Sequence, residues 1–153
     1  MPGITAPGTL LLYSRDMPYT YVANLVHCVF STKNRANLIA HPDSLCRYMT
    51  GIARNKNIAL LAAGGTANHL HLLVGLPASI TLARAMQDLK GNCSRMLNEM
   101  GRRFAWQEGH GAFSVSSSQK DKVAEYIAKQ ETHHRRWTFE QEFVALLEKR
   151  TQR

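Results

Sequence analysis

Along residues 21–149 the apolar side chains switch between two spacings, and the order of the switches restricts what the chain can fold into. Residues 21–31 (YVANLVHCVFS) are rich in Val and aromatics, the composition of a strand. His41-Pro42-Asp43 is a break that carries a helix-start residue, after which Leu45, Met49, Ile52 and Ala53 recur at helical spacing to about Asn55. Residues 58–63 predict a second strand, Gly64-Gly65-Thr66 a turn, and residues 69–75 a third strand. Pro77-Ala78-Ser79 opens a second helix with Ser79 as its N-cap. Leu82, Met86, Leu89, Cys93 and Met96 form its apolar stripe, and Gly101 ends it. Residues 112–116 predict a short fourth strand. Ser118 begins a further helix through Val123, Tyr126, Ile127 and Gln130, and residues 139–149 predict a last one.

This order makes the chain α+β. Its first six elements match the split βαβ pattern of a ferredoxin-like or RRM-like antiparallel sheet, with additional C-terminal helices. Two helices cover one face of such a sheet, and the other face is left for nucleic acid or for the extra helices. The fourth strand falls at a sheet edge, where pairing with a second copy would bury it. The length of 153 residues suits one domain. Residues 1–18, with Pro2, Gly3, Pro7 and Gly8, are expected to form a flexible extension, and residues 19–153 a single domain. The run Leu10-Leu11-Leu12 has no positive segment before it and does not fit a signal peptide; no apolar run is long enough to cross a membrane. Cys28, Cys46 and Cys93 are odd in number and form no CxxC pair, so buried free thiols in a reducing cytoplasm are expected. The net charge of +8 favours a polyanionic partner, nucleic acid first. Residues 1–83 hold six basic and two acidic side chains and residues 84–153 thirteen and nine, so each half carries +4 and there is no basic tail.

The chemistry concentrates in a few positions. His69-Leu70-His71 lies in the third predicted strand, where residues i and i+2 share a face with Cα atoms about 7 Å apart. Two imidazoles at that spacing converge on one metal ion. Leu70, Leu72 and Val74 point the other way, into the core, which puts the histidines on the open face. Tyr126 and Gln130 are four apart and share a helix face. A phenol, with an unperturbed pKa of about 10, is a competent nucleophile when its deprotonation is promoted. An amide oxygen is a suitable hard ligand beside two imidazoles. His27 shares a strand face with Leu25 and Val29 and is expected to be a core histidine, with a supporting role near the site as the alternative. No GxxxxGK[ST] run is present, so no nucleotide cofactor is expected.

A His-hydrophobic-His strand, the split βαβ order, a basic balance and a late Tyr-x-x-x-Gln helix together resemble the single-tyrosine HUH transposases, the small transposases of bacterial insertion sequences. HCVFSTKNR (27–35), NHLHLLVGLP (68–77), FAWQEGHGAFSVS (104–116) and YIAKQETHH (126–134) are the matching stretches. The resemblance implies that His69 and His71 hold a divalent ion, Mg2+ or Mn2+, with Gln130 as third ligand and Tyr126 as nucleophile. It implies cleavage and rejoining of single-stranded DNA through a 5′-phosphotyrosine, recognition of hairpins at element ends, and no need for ATP. It also implies a homodimer whose Tyr-bearing helix can complete the partner's site, in the cytoplasm of a bacterium or archaeon and associated with the nucleoid. Two positions depart from the family pattern. Asn68 stands where Asp is common, which preserves a hydrogen-bond acceptor but not its charge, and so bears on metal affinity. His110 stands where Tyr is common. Expected DNA contacts are Lys33 and Arg35 after the first strand, Lys90, Arg95, Arg102 and Arg103 on or after the second helix, and His133, His134 and Arg135 after Gln130, with Phe104 and Trp106 expected either to stack on bases or to pack in the core or a dimer interface. Two alternatives share the sheet. One is a domesticated transposase acting on repetitive extragenic palindromes. The other is a non-catalytic RRM-like module for single-stranded nucleic acid, whose aromatic RNP pattern is missing here.

Overall fold

The computed structural model describes residues 22–130 and 136–151. The expected N-terminal extension and the domain start at Tyr19 lie outside them, as do His133, His134 and Arg135. Four strands, β1 (Asn24–Ser31), β2 (Ala59–Gly65), β3 (His69–Leu76) and β4 (Gly111–Val115), form one sheet in the order β2-β3-β1-β4. Every neighbouring pair is antiparallel. Helix α1 (Pro42–Asn55) joins β1 to β2, and α2 (Leu82–Glu99) joins β3 to β4. Each βαβ unit is thus split by an intervening strand, as the element order predicts. Two further helices follow, α3 (Lys120–Ala128) and α4 (Phe139–Thr151). The short β4 occupies a sheet edge.

One face of the sheet carries the main apolar core. Val26, Cys28 and Phe30 of β1 and Leu70, Leu72 and Val74 of β3 meet Leu45, Met49 and Ile52 of α1 and Met86, Leu89 and Cys93 of α2. The alternation of β1 and β3 supplies this face, and the helical stripes read from the sequence supply its cover. Burial pushes the Cys28 and Cys93 thiols up to about 12 and Cys46 up to about 11. All three should therefore alkylate at pH 8 at least about 100-fold more slowly in the folded protein than in the denatured chain. Iodoacetamide labelling followed by mass spectrometry checks this, and fast labelling of any one would contradict its burial.

The second face is taken by the extra helices and not left for nucleic acid, so the histidines do not lie on an open face as expected. Alternation decides which side of a strand a residue faces, not what packs over it. Here α3 and α4 lie on the sheet, and His69 and His71 are completely buried. Gly64 explains how α3 comes so close. A Cβ at this position would sit 2.1 Å from the backbone oxygen of Ile127 in α3. Gly64 and Gly65 are accordingly part of β2, paired with His71 and Leu70, and do not form the predicted turn. Gly64→Ala is expected to destabilise by about 1–3 kcal/mol through overpacking. Gly51→Ala, in α1 where an added Cβ meets nothing within 4 Å, is expected to stabilise by up to about 1 kcal/mol. Thermal melts of the two variants should move in opposite directions; a neutral Gly64→Ala would contradict the close approach.

The predicted N-cap of the second helix is also displaced. Ile80 N–H donates to Pro77 O, closing a turn before the helix starts. Thr81, in an extended conformation, accepts from Arg84 N–H and is the N-cap in place of Ser79.

Candidate active site

Beneath α3 and α4 the second face gathers six chemically active side chains. β3 presents His69 and His71. The adjacent β1 presents His27, also buried. Tyr126 comes from α3, Gln130 follows that helix's C-cap Lys129, and Glu142 comes down from α4. Glu142 links the others. Its Oε1 lies 2.7 Å from His71 Nε2 and 3.8 Å from His69 Nε2. Its Oε2 accepts the Tyr126 hydroxyl at 2.5 Å. Gln130 Oε1 lies 3.3 Å from His69 Nε2. The ligand atoms of His69, His71 and Glu142 all fall within 4.8 Å of one another. The sequence placed Tyr126, His69, His71 and Gln130 in one site, and the fold brings them together within a single chain.

The surrounding hydrogen bonds orient the imidazoles. His69 Nδ1 lies 2.8 Å from Asn68 Oδ1. The amide oxygen only accepts, so this assigns the proton to Nδ1 and leaves the His69 Nε2 lone pair facing the cluster. The acceptor that Asn68 was expected to retain is in use. His71 Nδ1 lies 2.8 Å from His27 Nε2. The His27–His71–Glu142 line accommodates two proton placements. In one, His71 donates to Glu142 and accepts from His27; in the other, His71 donates to His27 and keeps its Nε2 lone pair for a cation. His27 is therefore buried, as a core histidine would be, and is also a partner of the site, the supporting role that was its alternative. Gln130 Nε2 is buried without a hydrogen bond among the described residues, while its oxygen is aimed at a lone-pair nitrogen. The Gln130 oxygen, two imidazole nitrogens and a carboxylate fit a divalent metal ion. Burial, reinforced by the Glu142 carboxylate, raises the Tyr126 phenol above its ordinary pKa, and Gln130 pulls weakly the other way.

The sequence profile of the family described as "Transposase IS200 like" matches residues 20–130. The chain belongs to the IS200-like transposase family. Solved structures agree on the fold. A candidate transposase from Deinococcus radiodurans R1 aligns with a TM-score of 0.57 at 21% identity, covering 74% of this chain and 95% of its own. A REP-associated tyrosine transposase, solved bound to a REP hairpin, aligns with a TM-score of 0.59 at 14% identity, covering 79% of this chain and 74% of its own. Among curated proteins none matches. The protein is thus a transposase, a DNA-processing enzyme with a histidine-rich site suited to a divalent metal.

The basic residues of this transposase are distributed differently from the expected DNA contacts. Lys33 is exposed. Arg35 pairs with Glu140 and lies 5.4 Å from the centre of the Phe139 ring, tying the loop after β1 to α4. Lys90 donates to the backbone oxygens of Gln107 and Gly109, and its partial burial lowers its pKa. Arg95 bonds Asn92 one turn back. Arg102 and Arg103 are exposed after α2. Burial and the Lys90 charge lower the pKa of His110. Of the two readings of Phe104 and Trp106, packing is the one observed: they meet edge to face, and the Trp106 indole donates to Lys90 O. No helix of the described residues is long and apolar enough to cross a membrane.

Sequence reasoning missed Glu142. Its signal was a carboxylate within an apolar helix stripe, since Phe139, Glu142 and Leu146 recur at helical spacing and Glu142 is only 6% exposed. A charge on a buried stripe needs a partner, and His71 and Tyr126 supply it.

Proposed function

We propose that this IS200-like transposase cleaves and rejoins single-stranded DNA through a bond between Tyr126 and a 5′ phosphate. The observation that carries the reading is the Tyr126 hydroxyl held by Glu142, whose other oxygen meets His71. In the forward step the Tyr126 oxygen forms a bond to phosphorus and the bond from phosphorus to the 3′ oxygen breaks. The phenol proton passes to Glu142 Oε2, and the departing 3′ oxygen takes up a proton to leave as a hydroxyl. One phosphoester replaces another, so the reverse attack by a 3′ hydroxyl rejoins a strand without ATP. His69, His71, Glu142 and Gln130 are the side chains that would hold the metal. A divalent ion there supplies Lewis-acid polarisation of the scissile phosphate and offsets the carboxylate charge. Of Mg2+ and Mn2+, the mixed imidazole and oxygen donor set favours Mn2+.

Hairpin-bearing single strands are the proposed substrate, supported by the net charge of +8 and by the hairpin complex of the fold relative. Edge strand β4 is a proposed homodimer contact. Residues 19–153 are proposed to act as one domain in the cytoplasm, close to the nucleoid. A domesticated REP-associated enzyme would use the same chemistry on chromosomal palindromes. The RRM-like binding module is disfavoured, because α3 and α4 cover the sheet face that such modules use for bases.

The test is covalent capture. Hairpin-bearing oligonucleotides with single-stranded flanks are incubated with the protein and Mn2+, Mg2+ or EDTA, then resolved on a denaturing gel. A protein–DNA adduct with Mn2+, less with Mg2+ and none with EDTA is expected. Free nicked DNA without any adduct would overturn the tyrosine mechanism.

A further inference from the structure

A cavity of about 570 Å³ opens between β4, α3 and α4, beside the histidine cluster. His27, Tyr126 and Glu142 line it and also belong to the catalytic cluster, so the cavity abuts that cluster. Val123 of α3 and Leu146 of α4 line it with apolar surface, while Gln119 adds a polar group able to meet a base edge. Trp137, 53% exposed, lines it as well. Lys122 and Lys149, one from each helix, are exposed cations lining the same cavity. Apolar surface, an accessible indole and two cations match a nucleotide, whose base is apolar on its faces and whose phosphates are anionic. Paired and stacked bases of a duplex do not fit a space of this size, whereas an unpaired base does.

We infer that this slot binds the unpaired base of the nucleotide adjoining the scissile phosphate, stacked on Trp137, with Lys122 and Lys149 on the flanking phosphates. The position of the scissile phosphate rests on the proposed attack by Tyr126. The slot itself rests on the cavity and its lining. Trp137 thereby takes the stacking role that Trp106 cannot fill from its packed position.

The experiment uses the full chain in EDTA, with a mixed-sequence single-stranded 12-mer and the same 12-mer as a duplex. The single strand should quench tryptophan emission and the duplex should not. Trp137→Leu should lose the quench and bind the single strand about 5- to 100-fold more weakly, and Trp137→Phe should recover most of that affinity. Lys122→Ala combined with Lys149→Ala should lower the slope of log Kd against log salt by about 1 to 1.5. Circular dichroism of each variant checks that it is folded. Trp137→Leu binding within twofold of wild type, or equal quenching by the duplex, overturns the slot. The two proposals fail separately. Adduct formation without a Trp137-dependent quench removes the slot and leaves the tyrosine chemistry. A Trp137-dependent quench without any Tyr126 adduct leaves a base slot and removes the chemistry.

Discussion

Tyr126→Phe is expected to abolish covalent capture of DNA, with strand cleavage falling by roughly 10⁴-fold or more, the scale seen when a nucleophile is removed from a site that otherwise stays intact. The substitution deletes one oxygen. The ring keeps its packing, with its centre 5.8 Å from that of His71 and 6.2 Å from that of His27. Glu142 loses the phenol and retains His71, so the buried carboxylate keeps a partner. Losing a hydrogen bond to a charged group costs about 1.5–3 kcal/mol, which a domain of this size should tolerate. The separation between a folded variant and a dead one is therefore the informative result. Denaturing gels score the adduct and circular dichroism scores the fold. An adduct that persists in Tyr126→Phe would place the nucleophile elsewhere.

His71→Ala is expected to produce the second large effect, the loss of metal binding. His71 joins His27, Glu142 and the proposed ion, so its removal takes away a ligand and the group that orients the carboxylate. Mn2+ affinity should fall by at least about 100-fold. Wild type in Mn2+ at 100 times its Kd should gain about 2.7 kcal/mol, equivalent to roughly 5–11 °C in Tm. His71→Ala should show almost none of that gain. Removing one partner of a buried ion pair costs about 3–5 kcal/mol, so a milder companion is useful. Glu142→Gln and Gln130→Ala, compared side by side, report which oxygen the metal uses. An undiminished Mn2+ shift in His71→Ala would exclude the cluster as the metal site.

Much of this arrangement was legible because it depends on local spacing. The i, i+2 relation of His69 and His71 and the i, i+4 relation of Tyr126 and Gln130 are fixed by strand and helix geometry before any tertiary contact forms. The order of elements likewise fixed which strands needed a crossover. What was not legible depends on docking. Nothing near Glu142 in the sequence points to His71, because the two meet only when α4 packs on the sheet. That packing relies on small residues elsewhere: a Cβ at Gly111 would lie 2.8 Å from the Phe143 ring, and one at Gly64 would strike α3. Glycines that looked like turn or strand-end residues are clearances for helices distant in sequence. Trp106 had two readings, base platform or packing, and its contacts decide for packing, since Phe30 and Phe104 hold it edge to face. His27 was ambiguous for a similar reason, since its strand face was correctly read but the occupant of that face was not.

The two faces of the sheet are also finished at different times. Every buried residue of the main apolar core has been synthesised once Phe104 is added, whereas the carboxylate of the site arrives only with residue 142. At about 5–20 residues per second, translation leaves an interval of seconds in which the sheet can collapse on the ribosome without its chemistry. A message interrupted between those points would yield a product that keeps the scaffold and much of the basic surface but lacks Glu142. Such a fragment lacks Leu146 and Lys149 of the proposed base slot together with Glu142, so premature termination in this stretch removes the chemistry and the slot at once and leaves the sheet behind.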